Sequence, residues 1–221
     1  MRQHCPGDLI ETGGTEAGAA TAAAQQSSAG LPQRPDRQRL LTEVLQNRNN
    51  RLILERLPGL GLPDAWLVAG CLFQTIWNLA SQRAPQADIR DYDLFYFDAS
   101  DLSADAEQDL AGRVQSCFAD LGVTVEAKNQ ARVHTWYPSW FGHAYAPLTS
   151  SRDGIDHFLV RCTCVGVGHG PDGLELHAPD GLDDLYQGML RPNPLCDHAE
   201  LYAAKVASYR SRWPWLRTPA S

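Results

Sequence analysis

No stretch of this chain approaches the roughly 20 consecutive apolar residues that span a bilayer. Its start has neither the basic n-region nor the apolar h-region of a signal peptide. A cytoplasmic protein without a membrane segment is the expectation. Clustered basic residues are also missing. The net charge is −7, and all of it lies outside the first forty residues, where four arginines balance four acids. Non-specific attachment to a polyanion needs grouped Lys and Arg, so a long nucleic-acid groove is not expected. The six cysteines lack the paired C-x-x-C spacing of a zinc ribbon and do not read as the disulfide framework of a small secreted domain. Cys162-Thr163-Cys164 on a strand would point both thiols to one face, near His157 and His169, yet small buried cysteines are the simpler reading.

Residues 1–36 hold almost no bulky apolar side chain after Ile10 and are rich in Ala, Gly, Gln, Ser and Thr. Such a segment cannot bury enough surface to offset its ordering entropy. It is predicted to be a disordered tail, 1–37, ahead of a single domain over 38–217. Apolar residues make up 43% of the chain, with six Trp, seven Tyr and six Phe, enough for one core.

From about residue 38 the spacing of Leu41, Val44, Leu45 and Leu52 predicts a helix, stopped by the Leu57-Pro58-Gly59 breaker. Ala65–Ala69 reads as a short buried strand ending at Gly70. The next stretch alternates at helical period, with Leu72, Phe73, Ile76 and Ala80 on one side and Gln74, Asn78, Ser81 and Gln82 on the other. Ile89–Phe97 is a strand, a helix closes at Gly122, and Val123–Trp136 alternates over a length that is long for one strand, with a bend or turn near Lys128–Gln130. A turn or bulge that preserves parity keeps Glu126, Arg132 and His134 on one polar face, whereas a two-residue hairpin splits them. Phe158–Val167 and Leu174–Ala178 are predicted strands around a glycine-rich turn at Gly166–Gly173. A short helix covers Gly181–Leu190, and Asp197 with Glu200 opens a last helix. Strands separated by helices predict an α/β (α+β) fold, a mixed β-sheet flanked by helices.

The chemistry is carried by one arrangement: strand, Gly70-Cys71, helix, then a strand bearing Asp91-Tyr92-Asp93. Alternation puts both carboxylates on one face with Cα atoms ~7 Å apart, from a rise of ~3.3 Å per residue. Two hard anionic ligands at that spacing suit Mg²⁺. The glycine lets the following helix present its N-terminal amides to a triphosphate. A metal on one side and a helix dipole on the other are what phosphoryl or nucleotidyl transfer asks of a protein.

At these residues the chain resembles the DNA polymerase beta-like nucleotidyltransferase superfamily. More closely it is similar to a bacterial nucleotidyltransferase-like family, through the blocks Val68–Thr75, Trp77-Asn78, Ile89–Asp98, Asn129–His134 with Trp136-Tyr137, and Gly181–Leu185. The likeness covers roughly residues 41 to 217. It implies the nucleotidyltransferase fold and a metal-dependent transfer of an NMP group from an NTP to a small-molecule or protein acceptor, with Mg²⁺ or Mn²⁺ as the cofactor. The resemblance departs from the superfamily at Cys71, where Ser or Gly is usual, and in having no plain third carboxylate.

The candidate metal and catalytic residues are Asp91, Asp93 and Glu126, the last being the acid on the polar face of Val123–Trp136. For Glu126 the alternative is an ion pair with Arg132 or Lys128. Gly70, Cys71, Gln74, Arg132 and His134 are the candidate nucleotide-binding residues. Against them stand a strand terminator, a small helix-start residue, a solvent-facing stripe and a satisfied strand pair. Phe95, Phe97, Trp136, Tyr137 and Trp140 read as core and cleft wall. A nucleotide- or partner-binding module that has lost the chemistry is the alternative function.

Overall fold

Side chains that cap and turn the backbone set the element boundaries. The structure is a computed structural model that describes residues 36–142, 144–196 and 198–220. The predicted tail therefore falls, through residue 35, outside the described residues, as does the predicted capping residue Asp197. The first helical stretch is two helices, α1 (Arg37–Val44) and α2 (Arg48–Arg56). Asn47 divides them: its side chain accepts hydrogen bonds from the amides of Asn49 (3.0 Å) and Asn50 (3.4 Å) and restarts the helix.

Strand β1 (Trp66–Val68) runs into helix α3 (Gly70–Ala80), followed by β2 (Asp91–Tyr96), α4 (Ala104–Cys117) and β3 (Thr124–Asn129). The predicted long strand thus ends at Asn129. The Asn129 side chain accepts from the Ala131 amide at 3.1 Å and turns the chain into a 3-10 turn and then helix α5 (Val133–Phe141). Helix α6 (Ser151–Asp156) follows.

The predicted strand Phe158–Val167 is not formed as such. Arg161–Thr163 is a 3-10 turn instead, and the Asn193 side-chain amide holds the entry to this stretch by donating to the carbonyls of Asp156 (2.7 Å) and Phe158 (2.8 Å). The glycine-rich stretch expected to be a turn is strand β4 (Gly166–Gly170), paired with β5 (Gly173–His177). Glycine is required there by packing. A Cβ on Gly166 would lie 2.6 Å from Ile155 Cδ1, and one on Gly168 would lie 2.9 Å from the Trp66 ring. Helix α7 (Asp183–Gln187) is shorter than predicted, and α8 (Ala199–Arg212) closes the fold.

The sheet is mixed, in the order β3-β2-β1-β4-β5, with β2 and β3 parallel and the other pairs antiparallel. Its larger core lies on the face presented by Leu67, Tyr92, Leu94, Val125 and Val167 and is covered by the helices of both chain ends, with Trp77 and Trp213 at its centre. The other face carries a smaller cluster of Trp66, Val68, Phe95, Ile155 and Cys164. This asymmetry leaves part of the second face open.

Candidate functional site

The open part of that face lies where β1 hands over to α3. Ala69, the linking residue, has φ 61° and ψ −137°, a backbone region that residues with a Cβ rarely occupy. The bend brings Gly70 to the start of α3, and no side chain caps the helix's first-turn amides. Directly across the ladder, Val68 faces Asp93 of β2, and Asp93 faces Glu126 of β3. Parity then puts Asp91, Asp93 and Glu126 on one face of the sheet, half-buried, as expected from the sequence.

Ala69, Gly70 and Asp93 border a cleft of about 540 Å³. The remaining candidates fall elsewhere. Cys71 is fully buried, donates its thiol proton to the Val68 carbonyl at 3.2 Å and accepts from the Asp93 amide. Burial, then the charges of Asp93 and Asp91, push that thiol well above its ordinary value. It ties β1 to β2 as a neutral group and does not face the cleft.

Gln74, expected on an exposed or cleft-facing stripe, is buried, because α3 is enclosed on all sides from Cys71 to Asn78. Its Oε1 accepts from Arg212 at 3.0 Å. The same enclosure fixes Asn78 on the carbonyls of Pro85 and Ala87 and on the Trp213 indole.

A parity-preserving bend would keep Arg132 and His134 on a polar strand face with Glu126. The strand ends before them, so they point elsewhere. Arg132 is buried and pairs with Glu107, and its Nε donates to the Leu102 carbonyl at 3.2 Å. It locks the start of α4 to the β3–α5 corner. His134 lies on α5, outside the cleft lining, with its Nδ1 buried and unpartnered. Glu126 forms an ion pair with Lys128 at 3.1 Å, one of the two structural alternatives open to it.

Cys162 and Cys164 are both buried, and burial pushes both thiols up, Cys164 to about 12. Among the described residues no three His, Cys, Asp or Glu side chains gather into a metal-holding group. Mg²⁺ does not require one, since it is commonly held by one or two carboxylates, with water and substrate phosphates completing the shell. Asp91 and Asp93 on one face, with Glu126 beside Asp93, fit that donor set.

Sequence reasoning assigned no role to several residues lining the cleft. Gln130 follows β3 and packs against Gly154, where a Cβ would meet its Oε1. Helix α8 contributes Leu201, Lys205, Ser208 and Tyr209, a spacing of four, seven and eight that marks one helical face. That period was available in the sequence, but nothing beside it marked a cleft. Tyr137 and His198 share a hydrogen bond across the cleft. Among the described lining residues Asp93 and Lys205 are the ones with a fixed charge, and the rest of the wall is largely aromatic and aliphatic.

Comparison with known proteins agrees with this fold. The family described as nucleotidyltransferase matches residues 55–218. No curated protein matches the chain. Among solved structures, the fold is similar, with a TM-score of 0.71 and 29% identity, to an NMR structure described as revealing a CCA-adding enzyme head domain. The match covers 87% of this chain and 100% of that one.

Proposed function

The chain belongs to this nucleotidyltransferase family, and from that premise we propose that it moves an NMP group from an NTP to an acceptor hydroxyl, with Mg²⁺ or Mn²⁺ held by Asp91 and Asp93. One observation carries the reading: Asp93 opens into the same cleft as Gly70 at the start of α3, across the β1–β2 ladder. Amides at that helix start suit the β- and γ-phosphates. Bound there, the metal would neutralise phosphate charge and lower the pKa of the acceptor hydroxyl. The acceptor oxygen bonds to the α-phosphorus as the bond to the bridging oxygen breaks and pyrophosphate leaves. The hydroxyl proton would pass to Glu126, the residue that pairs with Asp93 across the β2–β3 ladder. No helix among the described residues is long and apolar enough to cross a membrane, and an NTP substrate fits a cytoplasmic setting.

Asp91→Asn and Asp93→Asn test this. Each is expected to weaken Mg²⁺-dependent binding of a non-hydrolysable ATP analogue and to cut pyrophosphate release by about 10²-fold or more, with stability changed by no more than ~0.5 kcal/mol. Nucleotide binding unchanged in both variants would sink the assignment.

A second reading is favoured by two observations: the Cys71 thiol turns to a carbonyl instead of the cleft, and Glu126 is engaged by Lys128. A module that binds nucleotide without turnover would show analogue binding and no pyrophosphate in single-turnover assays.

A further inference from the structure

The sheet order sets a direction across the site. Gly70 follows β1, Asp93 lies on β2, and the next strand outward, β3, leads through Gln130 into α5. Taking the transfer reading above as given, the leaving pyrophosphate lies at the α3 start. An in-line displacement puts the attacking group on the opposite side of the phosphorus. By the sheet order, that side is toward β3 and the α5 that follows it.

Its chemistry is uniform. Val133, Tyr137 and Phe141 project from α5 at helical spacing into the cleft, and Tyr145 continues the wall. Tyr137 lies between Phe141 and Tyr145, with ring centroids 4.5 and 4.3 Å away. His198 and His157 close the edges at 5.7 Å from Phe141 and Tyr145. The mouth is apolar as well: Leu195 and Leu201 line it and remain 61% and 41% exposed. No Lys or Arg among the described residues joins this wall, and Lys205 comes from α8.

We infer that this recess is the acceptor subsite and that it takes a small, planar, uncharged aromatic molecule bearing a hydroxyl, rather than a polynucleotide end or a polycation. A polyanionic 3′ end needs neighbouring basic side chains to replace its counterions. A polycationic sugar needs grouped carboxylates. The recess supplies neither, whereas offset ring contacts favour a flat apolar body. The recess is the α5 side of the same cleft of about 540 Å³ that Gly70 and Asp93 border, which leaves it room for a small molecule only.

The test is calorimetric titration of the full chain with 2-naphthylmethanol, in Mg²⁺ and a saturating non-hydrolysable ATP analogue. Binding is expected, and Phe141→Ala and Tyr145→Ala should each weaken it by ~10-fold, as for a ring anchor. Phe141→Leu keeps apolar bulk and covers the case in which the alanine variants do not fold; it should weaken binding by ~3-fold or more. Three results would overturn the inference: displacement of the alcohol by the analogue, which makes the recess the base subsite; binding indifferent to all three substitutions; or tighter, steeply salt-dependent binding of an oligoribonucleotide with a free 3′-hydroxyl. Analogue binding is read separately on the same sample. If no nucleotide binds while the alcohol still does, the transfer reading and the acceptor role fall together, and the aromatic recess alone remains.

Discussion

The two faces of β2 differ sharply within six residues. Tyr92, Leu94 and Tyr96 point into the main core and are essentially inaccessible; the Tyr92 hydroxyl also meets the side chains of Asn47 and Asn49. On the opposite face Phe95 is buried against Phe158 at a centroid distance of 5.7 Å, while Asp91 and Asp93 remain half-exposed. One face holds the sheet to its helices, and the other holds two carboxylates where little covers them. On the proposed reading, stability and chemistry are carried by alternate residues and should be separable by substitution. Leu94→Ala is expected to cost about 2–5 kcal/mol in denaturant unfolding, because the removed methyls leave a cavity in an enclosed core. The separation breaks down if Asp93→Asn costs as much as Leu94→Ala.

The same contrast governs the response to pH. The buried thiols of Cys71, Cys162 and Cys164 are pushed up, by desolvation first and neighbouring carboxylates second or further down for Cys164, which rises to about 12. A thiol whose folded value exceeds its unfolded value near 9 stabilises fully below that value. The contribution is lost as pH rises toward the folded value, since the unfolded chain ionises first. Unfolding free energy is therefore expected to fall above pH ~9 by about 1.4 kcal/mol per pH unit for each such thiol. Cys162→Ala should flatten that slope. A curve level from pH ~9 to ~11 would contradict the enclosure of these side chains.

Much of this arrangement could be read from the sequence. The period of two in β2 and the glycine after β1 placed Asp91, Asp93 and Gly70 correctly, because strand parity and a helix start are local properties. Local rules failed where a single asparagine redirected the chain. Asn47 and Asn129 each trade side-chain hydrogen bonds for a change of element, and the second moved Arg132 and His134 off the strand that carries Glu126. Partners distant in sequence were also invisible: nothing near Gln74 announces Arg212, and nothing near Arg132 announces Glu107. The glycines of β4 looked like a turn because their role is to admit Trp66 and Ile155, which only the packed sheet reveals. The α8 face of Lys205 and Tyr209 had the right period but no local sign that a cleft lay against it.

Ala69 joins the two regions, and the smallest expected effect lies there. With φ 61° and ψ −137° it is held in a conformation that costs a residue with a Cβ about 1–3 kcal/mol. The β1–β2 ladder on one side and the buried start of α3 on the other hold it there. Ala69→Gly removes that strain but gives the unfolded chain more freedom, worth roughly 0.5–1 kcal/mol in the opposite sense. The two terms net to a stabilisation of roughly 0–2.5 kcal/mol by denaturant unfolding. Binding of the ATP analogue should weaken at the same time, because a looser junction no longer fixes the α3 amides opposite Asp93. Destabilisation by more than ~1 kcal/mol would mean that the bend is not strained and that the alanine methyl contributes packing instead.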